Sequence, residues 1–573
     1  MPIKNLPAYL TSKKAIFIII ILGTIVFFNG LFNNFVGDDN SQIVDNIFVH
    51  SIKNISTFFG GSTFFNYGAQ QGGVYYKPLL NTLFSFIYTL FGPNPFFFHL
   101  VQVILHILNT CILFLLYKRF FSSSTSLFIS LIFLVHPINS EAVFNISSTQ
   151  EVLFFFFGIT AMVLLSRFRS FGQLGFAGLL MFLSLLSKET GILFLLMSIT
   201  YAFIFIRKYF LPVLGLSISG VILYSLLRIN AVGISTNPLN APITSINLMG
   251  RILNMPAMIF FYLKTFVFPL NLASSYHWVI KQVNFNQFFL PLTILILITI
   301  VLVFFAHILF KRSEEKYFKS YLFFCVWFIS GLLLHLQIIP LDATVAERWF
   351  YFPIVGLLGM IGVFLEMLPS KIKRERLLVV FIAIILLFST RTFIRSFDWR
   401  NEFSLATHDI KVSPESFALE NLIAKVLIDS GNFQEAKIYA EKSIELYPYV
   451  TNYINLGIIF LDMGDYQKAK ESYLKALQFG DYYLVYENLA GLSLVYGEAE
   501  ENINFIKSAL QKFPQSSRLW LFLAILEYSD NNIENAKIAI RQAYKYDQSS
   551  QVSFVYNTIM KNQPLKLKYE TVK

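Results

Sequence analysis

The feature that most constrains this sequence is a series of long apolar runs that extends over residues 15–393. The first run, residues 15–35, is long enough to cross a bilayer, because about 20 apolar residues in a helix span the hydrocarbon core. Over the whole chain 55% of residues are hydrophobic, which lies outside the usual range for soluble proteins. The sequence therefore predicts an all-α fold that begins with a polytopic bundle of transmembrane helices.

Basic residues beside these runs set the predicted orientation. Lys4, Lys13 and Lys14 precede the first run, which places the N-terminus in the cytoplasm. Two apolar segments, 80–91 and 252–268, are predicted to lie at the outer interface, and whether 252–268 crosses the membrane is left open. The pattern predicts eleven spans, at residues 15–35, 97–117, 126–135, 151–166, 176–187, 190–206, 209–227, 290–310, 321–338, 349–368 and 377–393.

Composition argues against several classes of function. The net charge of +11 could suggest nucleic acid, but most basic clusters flank apolar runs, where they orient helices. Cys111 and Cys325 both lie within predicted spans and define neither a disulfide framework nor a metal site. No HExxH, paired CxxC or phosphate-binding glycine motif occurs, so zinc hydrolysis and nucleotide chemistry are unsupported. We therefore expect no cofactor, and the sequence leaves metal dependence open.

A repeat appears after the last apolar run. Gly431 and Ala436 recur as Gly464 and Ala469, which is the spacing of tetratricopeptide repeats. Two weaker copies follow, so about four helix pairs are predicted to stack into an α-solenoid that binds a partner. The predicted domains are a transmembrane domain at 1–397, a linker at 398–415, the repeats at 416–549 and a tail at 550–573.

Ionisable residues gather on one face of the predicted topology. Charged groups inside or beside membrane spans are costly and tend to mark function. Any one of them alone could be a structural ion pair, and Lys188 with Glu189 could close a turn. His99 and His106 share a helix face, which is more typical of internal hydrogen bonding than of metal binding. The set that converges on the outer face consists of Asp38, Asp39, Lys77, His136, Glu141, Lys188, Glu189, Glu347 and Arg348.

Carboxylates and cations at a membrane surface are suited to an enzyme that transfers a sugar from a lipid-phosphate donor. Arg348, with Lys188 or Lys77, would stabilise the charge that develops on the leaving phosphate. Asp38 or Asp39 would deprotonate an acceptor hydroxyl, and the residues do not decide between them.

These motifs resemble the GT-C superfamily of membrane glycosyltransferases, most closely the transmembrane and tetratricopeptide repeat-containing O-mannosyltransferases and their bacterial relatives. The resemblance covers nearly the whole chain. It rests on Gly37-Asp-Asp39, Tyr76-Lys-Pro-Leu79, Phe91-Gly-Pro-Asn94 with Phe98-His99, His106 to Asn109, His136-Pro137 with Glu141-Ala-Val143, Leu186-Ser-Lys-Glu-Thr190, Arg251 to Trp278, and Glu347-Arg348 with Tyr351 and Pro353.

The resemblance implies a transferase that uses a polyprenyl-phosphate sugar, often mannose, and acts on the exoplasmic face with inversion. The acidic motif of the first outer loop would supply the catalytic carboxylate, Asp38 or Asp39. His136, Glu141, Glu189, His99 and Tyr351 are predicted to support the site or to contact sugar or acceptor. Lys77 stands where relatives usually have arginine, and the tryptophan usual after the His-Pro motif is missing, which leaves the sugar open.

The expected location is a bacterial inner membrane, with the repeats on the exoplasmic side. The partners would be the lipid-linked sugar and an acceptor, which is a protein Ser/Thr or a glycan, and the repeats favour protein. Two rival interpretations are a membrane-anchored scaffold without catalysis and a transporter or flippase of lipid-linked sugar. A scaffold has no reason to gather buried charges, and a transporter would place polar groups along a path through the bilayer.

Overall fold

A computed structural model describes residues 11–64, 75–167, 170–234, 241–312, 314–368 and 374–565. Within these ranges the regular structure is helical, and the only strand-like pairing is a single bridge between Tyr276 and Val345. The predicted all-α fold is confirmed. Contacts divide the described chain into two compact units, which separate after Ser413.

The first unit contains sixteen α-helices. They are α1 Ser12–Phe27, α2 Ile55–Phe59, α3 Pro78–Phe91, α4 Pro95–Tyr117, α5 Ser123–Val135, α6 Ser140–Phe144, α7 Thr149–Ser166, α8 Phe171–Ser187, α9 Ile192–Phe205, α10 Phe210–Val232, α11 Leu248–Val267, α12 Leu290–Lys311, α13 Glu315–Leu333, α14 Pro353–Glu366, α15 Arg374–Asp398 and α16 Glu402–Val412.

Several of these helices are suited to a bilayer. Five helical segments among the described residues are long and apolar enough to cross one alone: 95–117, 146–166, 207–232, 285–311 and 375–398. A sixth would be α5 with the helical segment after it, which together bend by 49° at the break. The helices α3, α8, α9 and α14 are apolar but shorter. The chain is thus a multi-pass membrane protein, whereas the predicted count of eleven spans is not confirmed.

Close helix contacts in this unit depend on glycine. A Cβ atom at Gly158 of α7 would come within 2.0 Å of the Phe194 ring on α9. A Cβ atom at Gly356 of α14 would lie 2.4 Å from the backbone nitrogen of Phe328 on α13. Small residues let helices in membranes approach to backbone contact. The pairs α7–α9 and α13–α14 are therefore fixed tightly, and the segments that precede α7 and α14 carry the charged residues considered below.

The second unit is built from helix pairs, with the bounds α17 Phe417–Asp429, α18 Phe433–Leu446, α19 Val450–Asp462, α20 Tyr466–Ala476, α21 Tyr483–Leu492, α22 Ala499–Lys512, α23 Ser517–Ser529, α24 Ile533–Tyr546 and α25 Ser550–Met560. Buried alanines at the helix contacts, such as Ala436, Ala469 and Ala536, keep the paired helices close. Gly431 and Gly464 have φ of 76° and 79° in the turns within the first two pairs, a conformation that favours glycine. The predicted four repeats and their solenoid are present.

Helices occur within the segments predicted as a linker, 398–415, and as a tail, 550–573. The helix α16 lies inside the predicted linker, where Asn401 caps it by accepting from Ser404 N at 2.9 Å. Its Asp409 is buried and accepts from the Arg395 guanidinium at 2.7 Å, which anchors α16 to the first unit. The helix α25 lies inside the predicted tail and buries Val552, Val555 and Ile559. Each helix exists because it buries specific side chains.

Candidate active site

A cavity of about 740 Å³ opens within the first unit. Its wall combines a charged region with an apolar one, as is common for sites that bind an amphipathic ligand. Aliphatic side chains from α9, α10 and α13, such as Leu193, Val221 and Leu333, form the apolar part. The ionisable lining residues are Asp38, Tyr75, Lys77, Lys188, Glu189, Tyr224, His335, Asp342 and Arg348.

The two adjacent carboxylates of the acidic turn have different surroundings. Asp39 is fully buried, and its oxygens accept hydrogen bonds from Val36 N at 3.0 Å and Ser147 N at 2.6 Å. Asp38 instead lines the cavity and is exposed there. Gly37, with φ of 55°, makes the turn that precedes them. Asp39 thus anchors the turn, while Asp38 is free to meet a ligand.

Both carboxylates bind protons more readily than ordinary aspartates. Although Asp38 is accessible from the cavity, it lies deep enough in the protein that burial raises its pKa, and nearby Asp342 raises it further while Arg348 and Lys77 oppose the shift. Burial raises the pKa of Asp39 to about 7, against the opposing effect of its two backbone hydrogen bonds. A carboxylate with a raised pKa is a stronger base once it is ionised.

Arg348 and Lys188 each reach the cavity from a buried ion pair. The Arg348 guanidinium pairs with Glu141, whose other oxygen accepts from Arg348 N at 2.9 Å. Lys188 Nζ lies 2.5 Å from Glu151 Oε1. Both carboxylates are buried behind their cations. Each pair therefore holds a cation in place without a large uncompensated charge.

Lys77 differs from these two cations. Its ammonium lies 4.4 Å from the centre of the Tyr75 ring and forms no ion pair with any residue in the described ranges. Burial lowers the pKa of Lys77, and the nearest carboxylate influence, from Glu189, opposes that shift. Lys77 is thus the cavity cation that is least neutralised by the protein.

Besides Asp39 and Glu347, four predicted site residues lie outside the cavity wall. Glu141 is behind Arg348, and His99 is buried in α4. His136 accepts from Ile138 N through Nδ1 and lies 2.9 Å from Phe266 O through Nε2, so that ring joins the segment after α5 to the last turn of α11. The Tyr351 hydroxyl lies 2.8 Å from His106 Nδ1 in the core. Their roles in a reaction stay predictions, and the contacts described here are structural.

Two charged residues in or beside the cavity wall were not singled out from the sequence. Glu151 was placed only as the start of a span, although a carboxylate at the end of an apolar run is itself a signal of function. Asp342, which accepts from the Tyr75 hydroxyl at 3.1 Å, lies between two spans with no motif around it. No group of three or more His, Cys, Asp or Glu side chains suited to a metal occurs in the part of the chain that the structure describes.

Known families match both units. The model of the dolichyl-phosphate-mannose-protein mannosyltransferase family matches residues 77–227, and a tetratricopeptide repeat model matches 421–449 and 450–479. A protein O-mannosyl-transferase of Caenorhabditis elegans is 26% identical over 453 residues, covering 76% of this chain and 63% of the relative. A human protein O-mannosyl-transferase is 23% identical over 490 residues, covering 76% and 52%. This chain is similar to these proteins over about three quarters of its length.

The resemblance inferred from the motifs is thereby confirmed. The matched part of the chain spans between half and two thirds of the length of these curated relatives. Solved structures that match this chain include ArnT from Cupriavidus metallidurans bound to undecaprenyl phosphate, at 14% identity and a TM-score of 0.39 over 81% of this chain and 80% of that one. Another is the Archaeoglobus fulgidus oligosaccharyltransferase, at 12% identity and a TM-score of 0.38 over 77% and 60%.

Proposed function

We propose that this protein is a glycosyltransferase that moves a sugar, mannose or another hexose, from a polyprenyl-phosphate donor to an acceptor hydroxyl. The observation that carries the proposal is one cavity whose wall contains the exposed carboxylate of Asp38 together with Lys77, Lys188 and Arg348. Relatives named protein O-mannosyl-transferases support both the sugar and a protein Ser/Thr as acceptor.

In this proposal Asp38 is the general base. It takes the proton of the acceptor hydroxyl as the hydroxyl oxygen attacks the anomeric carbon from the side opposite the phosphate. The bond between that carbon and the phosphate oxygen breaks, and its electron pair stays on the phosphate. The products are the glycosylated acceptor with inverted configuration, polyprenyl phosphate and a proton on Asp38.

The cations act on the leaving group. Charge on the phosphate grows as the glycosidic bond breaks, and fixed cations in a cavity stabilise that charge without reorganising. Arg348 and Lys188 are held by Glu141 and Glu151, whereas Lys77 contributes the least neutralised charge. We propose that these side chains, and no metal, hold the phosphate. Chelation with EDTA is then expected to leave turnover unchanged, and activity that required added Mn²⁺ or Mg²⁺ would contradict this.

The apolar wall supports a lipid-linked donor over a soluble one. Leu193 and Leu196 from α9 and Leu333 and Leu334 from α13 continue the cavity toward helix faces with exposed aliphatic side chains. An isoprenoid chain would be accommodated there. We place the reaction on the exoplasmic side of a bacterial inner membrane, with a cytoplasmic N-terminus, and we propose that the repeats hold the acceptor.

Substitutions in the acidic turn test the proposal. Asp38→Asn is expected to lower transfer by at least about 100-fold, the usual contribution of a general base, with an unchanged unfolding temperature. Asp39→Asn is the matched control, because it weakens the anchor of the same turn and is expected to lower the unfolding temperature. The measurement is transfer from radiolabelled polyprenyl-phosphate mannose by the purified full-length protein. Wild-type turnover by the Asp38→Asn protein would exclude Asp38 as the base.

A further inference from the structure

The cavity wall beside Asp38 carries uncharged amide side chains that the proposed mechanism does not use. Gln42 lies on the helical turn Asn40–Val44, directly after the acidic turn, and Gln150 lies on the first turn of α7. The hydrogen bond from Ser147 N to Asp39 brings the two segments together at 2.6 Å. The same contact that anchors Asp39 therefore brings the segments that carry both glutamines to one wall.

These two amides lack hydrogen-bond partners among the residues that the structure describes. Gln42 is 5% exposed, and neither its amide nor that of Gln150 forms a hydrogen bond with another described residue. The side-chain oxygens of Gln102 and Asn109 also lack a partner among the described residues, but their nitrogens donate to Ala142 O and Val152 O, both at 2.8 Å, and neither residue lines the cavity. A buried polar group without a partner is costly, so such groups call for a ligand.

Thr190 adds a hydroxyl to the same cavity. It follows Lys188 and Glu189, is 4% exposed, and its Oγ1 has no hydrogen-bond partner among the residues that the structure describes. Three uncharged groups from three separate segments thus line one cavity with unused hydrogen-bonding capacity.

The chemistry of an amide fits a hydroxyl group. A glutamine side chain offers two N–H donors and a carbonyl acceptor, and a sugar hydroxyl both donates and accepts. An uncharged amide does not compete with Lys77 or Arg348 for a phosphate. In the proposed reaction the sugar must lie between the base and the phosphate, which is the part of the cavity that Asp38 faces.

We infer that Gln42 and Gln150 bind hydroxyl groups of the donor sugar and, with Thr190, determine which hexose is accepted. This inference rests on the proposed function, because it assumes a sugar on a lipid phosphate. It assigns the two glutamines to substrate selection and not to proton transfer.

The test compares binding of two lipids that differ only in the sugar: polyprenyl-phosphate mannose and polyprenyl phosphate. The proteins are full-length wild type, Gln42→Met, Gln150→Met and the control Gln282→Met, whose glutamine is exposed and outside the cavity. Each cavity variant is expected to bind the mannose lipid about tenfold more weakly, the value of one lost hydrogen bond, and the sugar-free lipid within about twofold of wild type. The control variant should bind both lipids as wild type does.

Several outcomes would overturn the inference. Equal weakening for both lipids would show that the variants disturb the phosphate site or the fold. Unchanged donor binding with a raised KM for the acceptor would assign the amides to the acceptor instead. Wild-type protein that bound neither lipid would overturn the proposed function along with the inference, which separates the two failures.

A second measurement keeps the inference testable where a methionine variant is unstable. Donors whose hexoses differ at one hydroxyl compete for the wild-type enzyme and for Thr190→Val. The wild type is expected to discriminate between them, and Thr190→Val is expected to discriminate less. Equal discrimination by both proteins would overturn the role of Thr190.

Discussion

Buried carboxylates occur in both units, but their cationic partners differ. In the membrane unit, Lys188 is 9% exposed and its partner Glu151 2%, so the whole pair is removed from water. In the repeat unit, Glu420 and Glu487 are as deeply buried, yet Lys442 and Arg518 are 48% and 47% exposed. The cation of the first kind of pair is exposed only to the cavity, whereas the cations of the second kind lie at the protein surface.

This difference separates two uses of charge. A cation at the water boundary keeps most of its hydration, so its ion pair costs little and contributes little. A pair removed from water carries a desolvation cost that its own attraction only partly offsets. The ion pairs of Arg348 and Lys188 thus carry a desolvation cost that a role in stability does not explain. A role in ligand binding explains it.

The strongest test of this difference between the ion pairs is to remove one cation from each unit. Arg348→Met leaves Glu141 buried without a partner, and we expect a stability loss of about 3–5 kcal/mol together with a loss of transfer of at least about 100-fold. Arg518→Met in the repeats should cost about 1 kcal/mol, because that cation is half exposed. Thermal unfolding and transfer of both full-length variants are the measurements. Similar stability losses in the two units would refute the distinction.

A smaller change tests the carboxylates behind the cations. Glu151→Gln removes the partner of Lys188 and frees its ammonium to move, so the KM for the donor should rise about tenfold, with a smaller change in kcat. Glu420→Gln in the repeats removes the partner of Lys442 and should leave donor KM as in wild type. An unchanged KM in the Glu151 variant would mean that Lys188 needs no fixed position.

The smallest expected effect concerns pH, and it distinguishes carboxylates within the cavity. Asp38 acts as a base only when ionised, so the transfer rate must fall as acidification protonates it. Because the pKa of Asp38 is raised, this fall is expected at a pH above the ordinary range of an aspartate. Asp342 contributes to that shift, so Asp342→Asn should move the acid limb of kcat/KM to lower pH. The control is Glu189→Gln, which removes a cavity carboxylate that is not among the charges shifting the pKa of Asp38 and should leave the limb in place. An unmoved limb in the Asp342 variant would show that another group titrates.

The sequence predicted the helical architecture and most charged residues of the cavity, because charged residues next to long apolar runs can be recognised from the sequence alone. It could not separate Asp38 from Asp39, since their roles depend on Ser147, which lies 108 residues away from Asp39. Nor could it pair Arg348 with Glu141 across 207 residues. His136 and Tyr351 stood out by residue type, although their polar atoms meet the backbone or other core side chains. Gln42 and Gln150 carry no charge and therefore gave no signal.

The position of Asp38 is determined by the adjacent residue, Asp39. A single peptide unit joins it to Asp39, and the two hydrogen bonds that secure Asp39 also aim the carboxylate beside it. The orientation of the Asp38 carboxylate therefore depends on the hydrogen bonds that hold the turn. Weakening the Ser147 contact would misalign Asp38 before the helix bundle unfolded. Lengthening the chain by one residue between the two aspartates would uncouple them, and it would leave a stable protein whose base points the wrong way.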